Sequence, residues 1–98
     1  IIPVPFEDIA LFYLHHEQTM LLRFDGQRFA LHEKLSDIEE MVGTQFYRAS
    51  RQHLVSRKAI REATQYFARK LLLTLTVPFE EEVTISKEKV GGFLEWLA

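Results

Sequence analysis

The sequence predicts a mainly β fold of antiparallel strands with one short internal helix and a C-terminal helix. Three observations carry that reading. Apolar residues recur with period two over most of the chain, a turn-forming Asp25-Gly26 pair separates two alternating runs, and helical spacing is confined to two short stretches. From Ile9, the residues Ile9, Leu11 and Tyr13 share one face of a first run, and Met20, Leu22 and Phe24 share a face of the next, so both strands should be half buried. Asp25-Gly26 then leads into Gln27–His32, where Phe29 and Leu31 point one way. An Asp-Gly pair between alternating segments favours a two-residue type I′ hairpin, in which both central residues need positive φ.

Ser36 followed by Glu39 fits a capping box, and Leu35, Ile38 and Val42 recur at helical spacing. With Gly43 placed to end the element, a short helix is expected over about Asp37–Val42. After a polar loop, Ile60–Phe67 and Lys70–Val77 read as two strands with Arg69-Lys70 near the turn between them. The second presents Leu71, Leu73, Leu75 and Val77 on one face and Leu72, Thr74 and Thr76 on the other. Glu80-Glu81-Glu82 forms a charged connection into Val83–Ile85. Beyond it, Val90, Phe93, Leu94 and Leu97 mark an amphipathic C-terminal helix. Gly91-Gly92 inside that helix costs about 1 kcal/mol per residue relative to alanine, so the helix should be short, bent or dependent on packing of Phe93 and Trp96.

At 98 residues, with 47% hydrophobic and 12% aromatic content, the chain can bury one modest core and is read as a single domain over residues 1–98. The absence of cysteine excludes a disulfide framework, a thiolate nucleophile and a zinc ribbon, and points to a reducing compartment, the cytoplasm. Apolar runs such as Leu71–Leu73 fall far short of the roughly 20 residues of a membrane span, and the N-terminus has no basic n-region. The opening Ile1-Ile2-Pro3, without an initiator methionine, suggests a piece of a longer protein with a regulatory domain upstream.

A net charge of -2 argues at first against nucleic acid as a partner. Its distribution argues the other way, because residues 1–47 carry net -5, residues 48–70 net +6 and residues 71–98 net -3. A small domain so arranged can present one electropositive face while remaining acidic overall, although a solvated basic strand or loop would look the same.

A search for chemistry yields little. His15-His16-Glu17 is the one dense group of metal-ligand types, but neighbours on a strand point to opposite faces, and an exposed loop explains it as well. Ser50, His53 and Asp37 contain the elements of a triad without a nucleophile elbow or an oxyanion site, which reads as coincidence. No glycine-rich phosphate loop is present, so no nucleotide cofactor is expected, and Glu80-Glu81-Glu82 reads as a solvated turn. The chain is therefore not expected to be an enzyme. RNA binding is disfavoured because paired exposed aromatics that stack single-stranded bases are not evident.

The informative stretch is Phe46–Ile60, FYRASRQHLVSRKAI, where Arg48, Arg51, Arg57 and Lys58 alternate with small, polar and apolar residues. A loop-borne arginine can make a bidentate contact to guanine, and Ser and Gln can add hydrogen bonds to bases or phosphates. The same segment could instead consist of core anchors Phe46, Leu54, Val55 and Ile60 with solubilising arginines.

This segment resembles the signature of the LytTR DNA-binding family, in which an aromatic-x-Arg turn leads through an Arg-Ser-like step to an apolar pair and a following Ile. The resemblance extends over the whole chain, through Ile-Pro-Val with Glu7-Asp8-Ile9, the Asp25-Gly26 hairpin, the Leu35 to Ile38 helix start and the ending TISKEKVGGFLEWL. It implies elongated antiparallel sheets with short helices that bind double-stranded DNA through loops entering successive major grooves. It also implies a bacterial transcription regulator, commonly a two-component response regulator whose upstream receiver domain is phosphorylated. Two copies would then occupy repeated half-sites, as a homodimer on DNA.

Position by position, the resemblance implies that Arg51 reaches a base edge and that Arg48 supports it or contacts the backbone. The loop after the second strand, around His15, His16, Glu17, Gln18 and Thr19, corresponds to another DNA-facing loop. Ser86, Lys87 and Lys89 correspond to a contact segment before the last helix, and Arg57 and Lys58 to phosphate contacts. Gln52 stands where many members have Ser. Glu88 stands between the lysines where a basic residue is common, and either accepts from a cytosine amino group or points to solvent. The competing expectation is a protein-interaction or dimerisation module of a signalling protein, in which sheet edges pair with a partner.

Overall fold

In the computed structural model, which describes residues 2–98, the strands are β1 (Ile9–His15), β2 (Gln18–Arg23), β3 (Arg28–Leu31), β4 (Phe46–Ser50), β5 (His53–Ser56), β6 (Ile60–Gln65), β7 (Leu71–Leu75) and β8 (Val83–Ile85). The helices are α1 (Leu35–Val42) and α2 (Val90–Leu97). All strand pairs are antiparallel, in a five-stranded sheet ordered β3-β2-β1-β5-β4 and a three-stranded sheet ordered β6-β7-β8. The mainly β expectation is met, in a molecule of 36 × 27 × 25 Å.

β1 lies at the centre of the larger sheet and is covered on both faces, so the half-buried expectation fails for it. Leu11 and Tyr13 join Leu22, Val55, Leu73, Val83, Ile85 and Phe93 between the two sheets, whereas Phe12 joins Leu21, Leu54, Leu35 and Ile38 under α1. In place of one core there are two apolar layers, one on each side of β1. Ile9 does not share the face of Leu11 and Tyr13. A bulge between Ile9 and Leu11 places two residues opposite one and turns Ile9 to the α1 side with Phe12.

The Asp25-Gly26 hairpin forms, but its turn is not type I′. Only Gly26 has positive φ, at 92°, and its N–H donates to the Arg23 carbonyl over 3.0 Å. Arg23 N–H in turn donates to Gln27 O, which closes a three-residue loop with a single left-handed residue at its end. The Asp25 carboxylate accepts from Gln27 N–H at 3.1 Å and Arg23 Nε at 3.2 Å, contacts that brace the turn with Asp25 outside the left-handed region. Two consecutive positive φ values occur instead at His16 (51°) and Glu17 (65°), the tip between β1 and β2.

α1 starts at Leu35 with Lys34 as N-cap, so Ser36 lies inside the helix and the expected capping box does not form. Two contacts override it: Leu35 is buried with Ile38 and Val42, and Glu39 pairs with Arg48. Gly43 ends the helix at φ 72°, as expected. The expected polar loop after it is the β4–β5 hairpin, with all four residues of β5 buried. β6 ends at Gln65, two residues before the expected Phe67, while Leu71, Leu73, Leu75 and Val77 pack between the sheets as read from the pattern. In α2, Phe93 is fully buried and Trp96 donates from Nε1 to Thr44 O at 2.6 Å. Leu94 departs from the expected stripe and stays exposed, because β4 covers the Phe93 and Trp96 side of the helix through Tyr47.

Glu80-Glu81-Glu82 is more than a solvated turn. Glu80 receives both terminal nitrogens of Arg28 at 2.8 and 2.9 Å, Glu81 faces His53 Nε2 at 2.8 Å, and Glu82 accepts from Tyr66 Oη at 2.7 Å. Phe79 packs edge-on against Tyr13 in the same strap, which ties the loop before β8 to the larger sheet. The Arg28 guanidinium holds the Glu80 carboxyl down at about 2. A carboxyl depressed on folding stabilises above its unfolded pKa, and that contribution fades as pH falls from about 4.5 through about 2. Glu80 is half exposed, so the pair contributes at most about 1 kcal/mol. Glu80→Gln should therefore lower the urea midpoint slightly at pH 7 and converge on wild type toward pH 2. A gap that stays constant with pH would show that the ion pair contributes nothing.

Candidate nucleic-acid interface

Strand pairing gathers four turns at one end of the molecule. Tyr13 pairs with His53, and Leu14 N–H donates to Gln52 O at 3.0 Å, so the His16-Glu17 tip stands beside the Arg51-Gln52 turn. Leu71 pairs with Ile85, which sets the Tyr66–Lys70 turn beside Ser86. Ser50, Arg51, Lys70, Thr84, Ser86 and Lys89 then line one cleft of about 250 Å³ between the sheets. A second, open depression of about 710 Å³ is lined by Leu14, Arg48, Ser50, Arg51 and Gln52. The loop carrying His15 and His16 joins the first and second strands and does not follow the second.

Arg48 is engaged in holding the turn. Its Nε donates to Ser50 O at 2.7 Å, Nη2 donates to Arg51 O at 2.7 Å, and Nη1 pairs with Glu39 of α1 at 2.9 Å. The planar fork satisfies two turn carbonyls and a carboxylate at once, a geometry that lysine cannot copy. Arg48→Ala and Arg48→Lys should each cost about 1.5–3 kcal/mol in chemical denaturation. A lysine variant with wild-type stability would show that the fork is dispensable.

His53 is buried beneath the same turn. Its Nε2 faces Glu81, which places the ring proton there and leaves Nδ1 to accept from Ser50 Oγ at 3.1 Å; the tautomer follows from these partners. Ser50 Oγ also accepts from Gln52 N–H at 3.1 Å. The acid on His53 is thus Glu81 and not Asp37, and the chain of hydrogen bonds rigidifies the turn that presents Arg51.

Arg51 and Gln52 are exposed, and their side chains have no partner among the described residues. His15 and His16 are exposed with ring centroids 4.2 Å apart, on a tip whose two left-handed residues cost on the order of 1–3 kcal/mol each. Gln18 donates its Nε2 to Leu31 O at 2.6 Å, and Thr19 is buried, so the reach of this loop rests on residues 15–17. Ser86, Lys87 and Lys89 occupy the segment before α2, and Lys89 Nζ approaches Arg48 O at 3.5 Å. Glu88 is exposed beside them.

Arg57 and Lys58 are not brought to this end. They follow β5, roughly 13 Å of strand from the Arg51 turn. Arg57 donates to the Leu97 carbonyl of α2, and Lys58 lies beside Phe6, Glu7 and Gln45. Arg69 and Lys70 were visible in the sequence as a basic pair near a turn, but only the β7–β8 register places them next to Ser86. Among the described residues, no group of three His, Asp or Glu side chains could hold a metal ion, and no helix is long and apolar enough to cross a membrane.

The end of the molecule thus exposes Arg51, Arg69, Lys87 and Lys89 on turns, with Lys70 half-buried beside them, while Glu80, Glu81 and Glu82 are engaged on the sheets. A comparison with solved structures finds a LytTr DNA-binding domain from Bacillus cereus at TM-score 0.83 and 20% identity, covering 99% of this chain and 87% of that one. The likeness establishes a shared fold. A comparison with curated proteins found no match. The profile of the LytTr DNA-binding domain matches residues 1–98, and the chain therefore belongs to the LytTr DNA-binding domain family.

Proposed function

We propose that residues 1–98 act as one module that reads double-stranded DNA sequence-specifically through turns set into the major groove, and that the chain carries out no chemistry. The observation that carries this reading is the convergence of four turns on one end, with unpaired Arg51 held forward by Arg48, Ser50 and His53. Tight turns are narrow enough for a groove about 12 Å wide, and an arginine on a rigid turn can meet guanine N7 and O6 without a recognition helix. In this reading Arg51 and Gln52 contact bases, the His15–Glu17 tip, braced by Gln18, and the Ser86, Lys87 and Lys89 segment contact the flanking groove and phosphates, and Arg48 supports.

The module would serve as the transcription-regulating output of a cytoplasmic bacterial two-component response regulator, with an upstream receiver domain. The Bacillus cereus structure of the same fold comes from a protein described as a methyl-accepting/DNA response regulator, which supports that setting. Dimerisation driven by the receiver would raise the effective concentration of a second copy and allow repeated half-sites to be filled.

The test is in vitro selection on random duplexes, followed by fluorescence anisotropy of the selected DNA across salt concentrations. Enrichment of a defined sequence, with affinity that falls as salt rises, is expected. If nothing is enriched and anisotropy stays flat at low salt, DNA readout fails and a protein-interaction module takes its place.

A further inference from the structure

The Tyr66–Lys70 turn has features that packing does not explain. Ala68 and Arg69 both adopt left-handed conformations, at φ 58° and 62°, without a glycine to ease them. Phe67 is 63% exposed, more than any other exposed large hydrophobic side chain among the described residues. The turn is nonetheless well anchored. Tyr66 N–H donates to Lys70 O at 2.9 Å, Lys70 N–H donates to Phe67 O at 3.2 Å, and Tyr66 Oη is fixed on Glu82. The Phe67 ring lies on Tyr66 at 4.7 Å, with the Lys70 ammonium 4.8 Å from its centroid. Lys70 lines the cleft that also holds Arg51, Ser86 and Lys89, and the Arg69 side chain has no partner among the described residues.

A rigid turn that holds an apolar ring in water against one cation, Lys70, with a second, Arg69, next to it in the chain, suits a surface that is at once anionic and apolar. The sugar-phosphate edge of a duplex is such a surface, since phosphates alternate with deoxyribose carbons. We infer that the Tyr66–Lys70 turn is a further DNA contact beside the Arg51 turn, with Arg69 and Lys70 on phosphates and the Phe67 ring against deoxyribose. It adds affinity without sequence preference, because neither partner differs between base pairs. This inference rests on the DNA-binding reading above.

Anisotropy on a selected duplex and on an unrelated one, across salt concentrations, tests it with wild type, Phe67→Ala, Arg69→Gln and Arg69→Gln/Lys70→Gln. Phe67 and Arg69 are exposed and Lys70 is half-buried, and thermal melting checks that the fold is kept. Arg69→Gln should lower the slope of log affinity against log salt by about 0.9, and the double variant by up to about twice that. Phe67→Ala should weaken both duplexes equally, by about fivefold to tenfold, as expected from uncovering a few tens of Å² of apolar ring. Discrimination between the duplexes should not change. If wild type binds with a salt-dependent slope and these variants keep that slope and affinity, the turn is not a contact, although the DNA reading survives. A Phe67→Ala variant that loses preference at one base position would overturn the deoxyribose assignment. Absence of binding by wild type would remove the DNA-binding reading and this inference with it.

Discussion

Arg51→Ala should remove about 1–3 kcal/mol of discrimination at one position of the selected DNA site while leaving the fold intact. The two halves of that expectation have separate causes. Arg51 is exposed and has no side-chain partner among the described residues, so its truncation should change stability by no more than about 0.5 kcal/mol. The turn that presents it is held by other residues, through Arg48 on the Ser50 and Arg51 carbonyls and through Ser50 Oγ on Gln52 N–H and His53. On the proposed reading, removal of the guanidinium therefore deletes a reading group and not its platform. The measurement is affinity for the selected duplex and for single base-pair variants of it, wild type against mutant. Loss confined to one position assigns Arg51 to a base edge. Uniform loss across all duplexes, with a shallower salt slope, would reassign Arg51 to a phosphate and pass base reading to Gln52 or the His15–Glu17 tip.

Phe93→Ala should destabilise the protein by about 3–5 kcal/mol, a large share of the roughly 5–15 kcal/mol that holds a domain of this size together. Phe93 is completely buried between the sheets and packs edge-on against Tyr47 at 5.4 Å. α2 has little intrinsic stability of its own, because Gly91 and Gly92 lie in its first turn and it spans eight residues. Its other ties are Trp96 on the Thr44 carbonyl and the Leu97 carbonyl that receives Arg57, and both depend on the helix staying docked. The damage should reach the end proposed to face DNA, since Ser86, Lys87 and Lys89 lead directly into α2. Urea denaturation measures the loss, and hydrogen exchange should show α2 amides opening well below the global free energy. Leu94→Ala is the control on the same helix: Leu94 is about half exposed, so its loss should stay near 0.5 kcal/mol. Equal effects from Phe93 and Leu94 would mean that α2 is not held by its buried face.

Local pattern and tertiary contact can be separated element by element. Period-two alternation located most of β1, β2 and β7, and Gly43 marked the end of α1, because side-chain alternation and positive φ are properties of a few adjacent residues. The β4–β5 hairpin escaped, since its turn at Arg51-Gln52 has no glycine or asparagine and the buried run His53–Ser56 does not alternate. The left-handed tip at His16-Glu17 escaped for the same reason, as neither residue advertises positive φ. Arg51 was legible as a candidate from the basic stretch and the family resemblance.

By itself the sequence determined the fold class, the family and the segment that carries the positive charge. The tertiary structure decided which basic residues lie together: Arg48 turned inward to Glu39 and two turn carbonyls, Arg57 was engaged at the far end by α2, and Arg69 and Lys70 came alongside Ser86. The physical reason is range. Element type follows from neighbours a few residues apart, whereas a site on turns is assembled by strand register and burial between residues far apart in the chain, which no local pattern encodes.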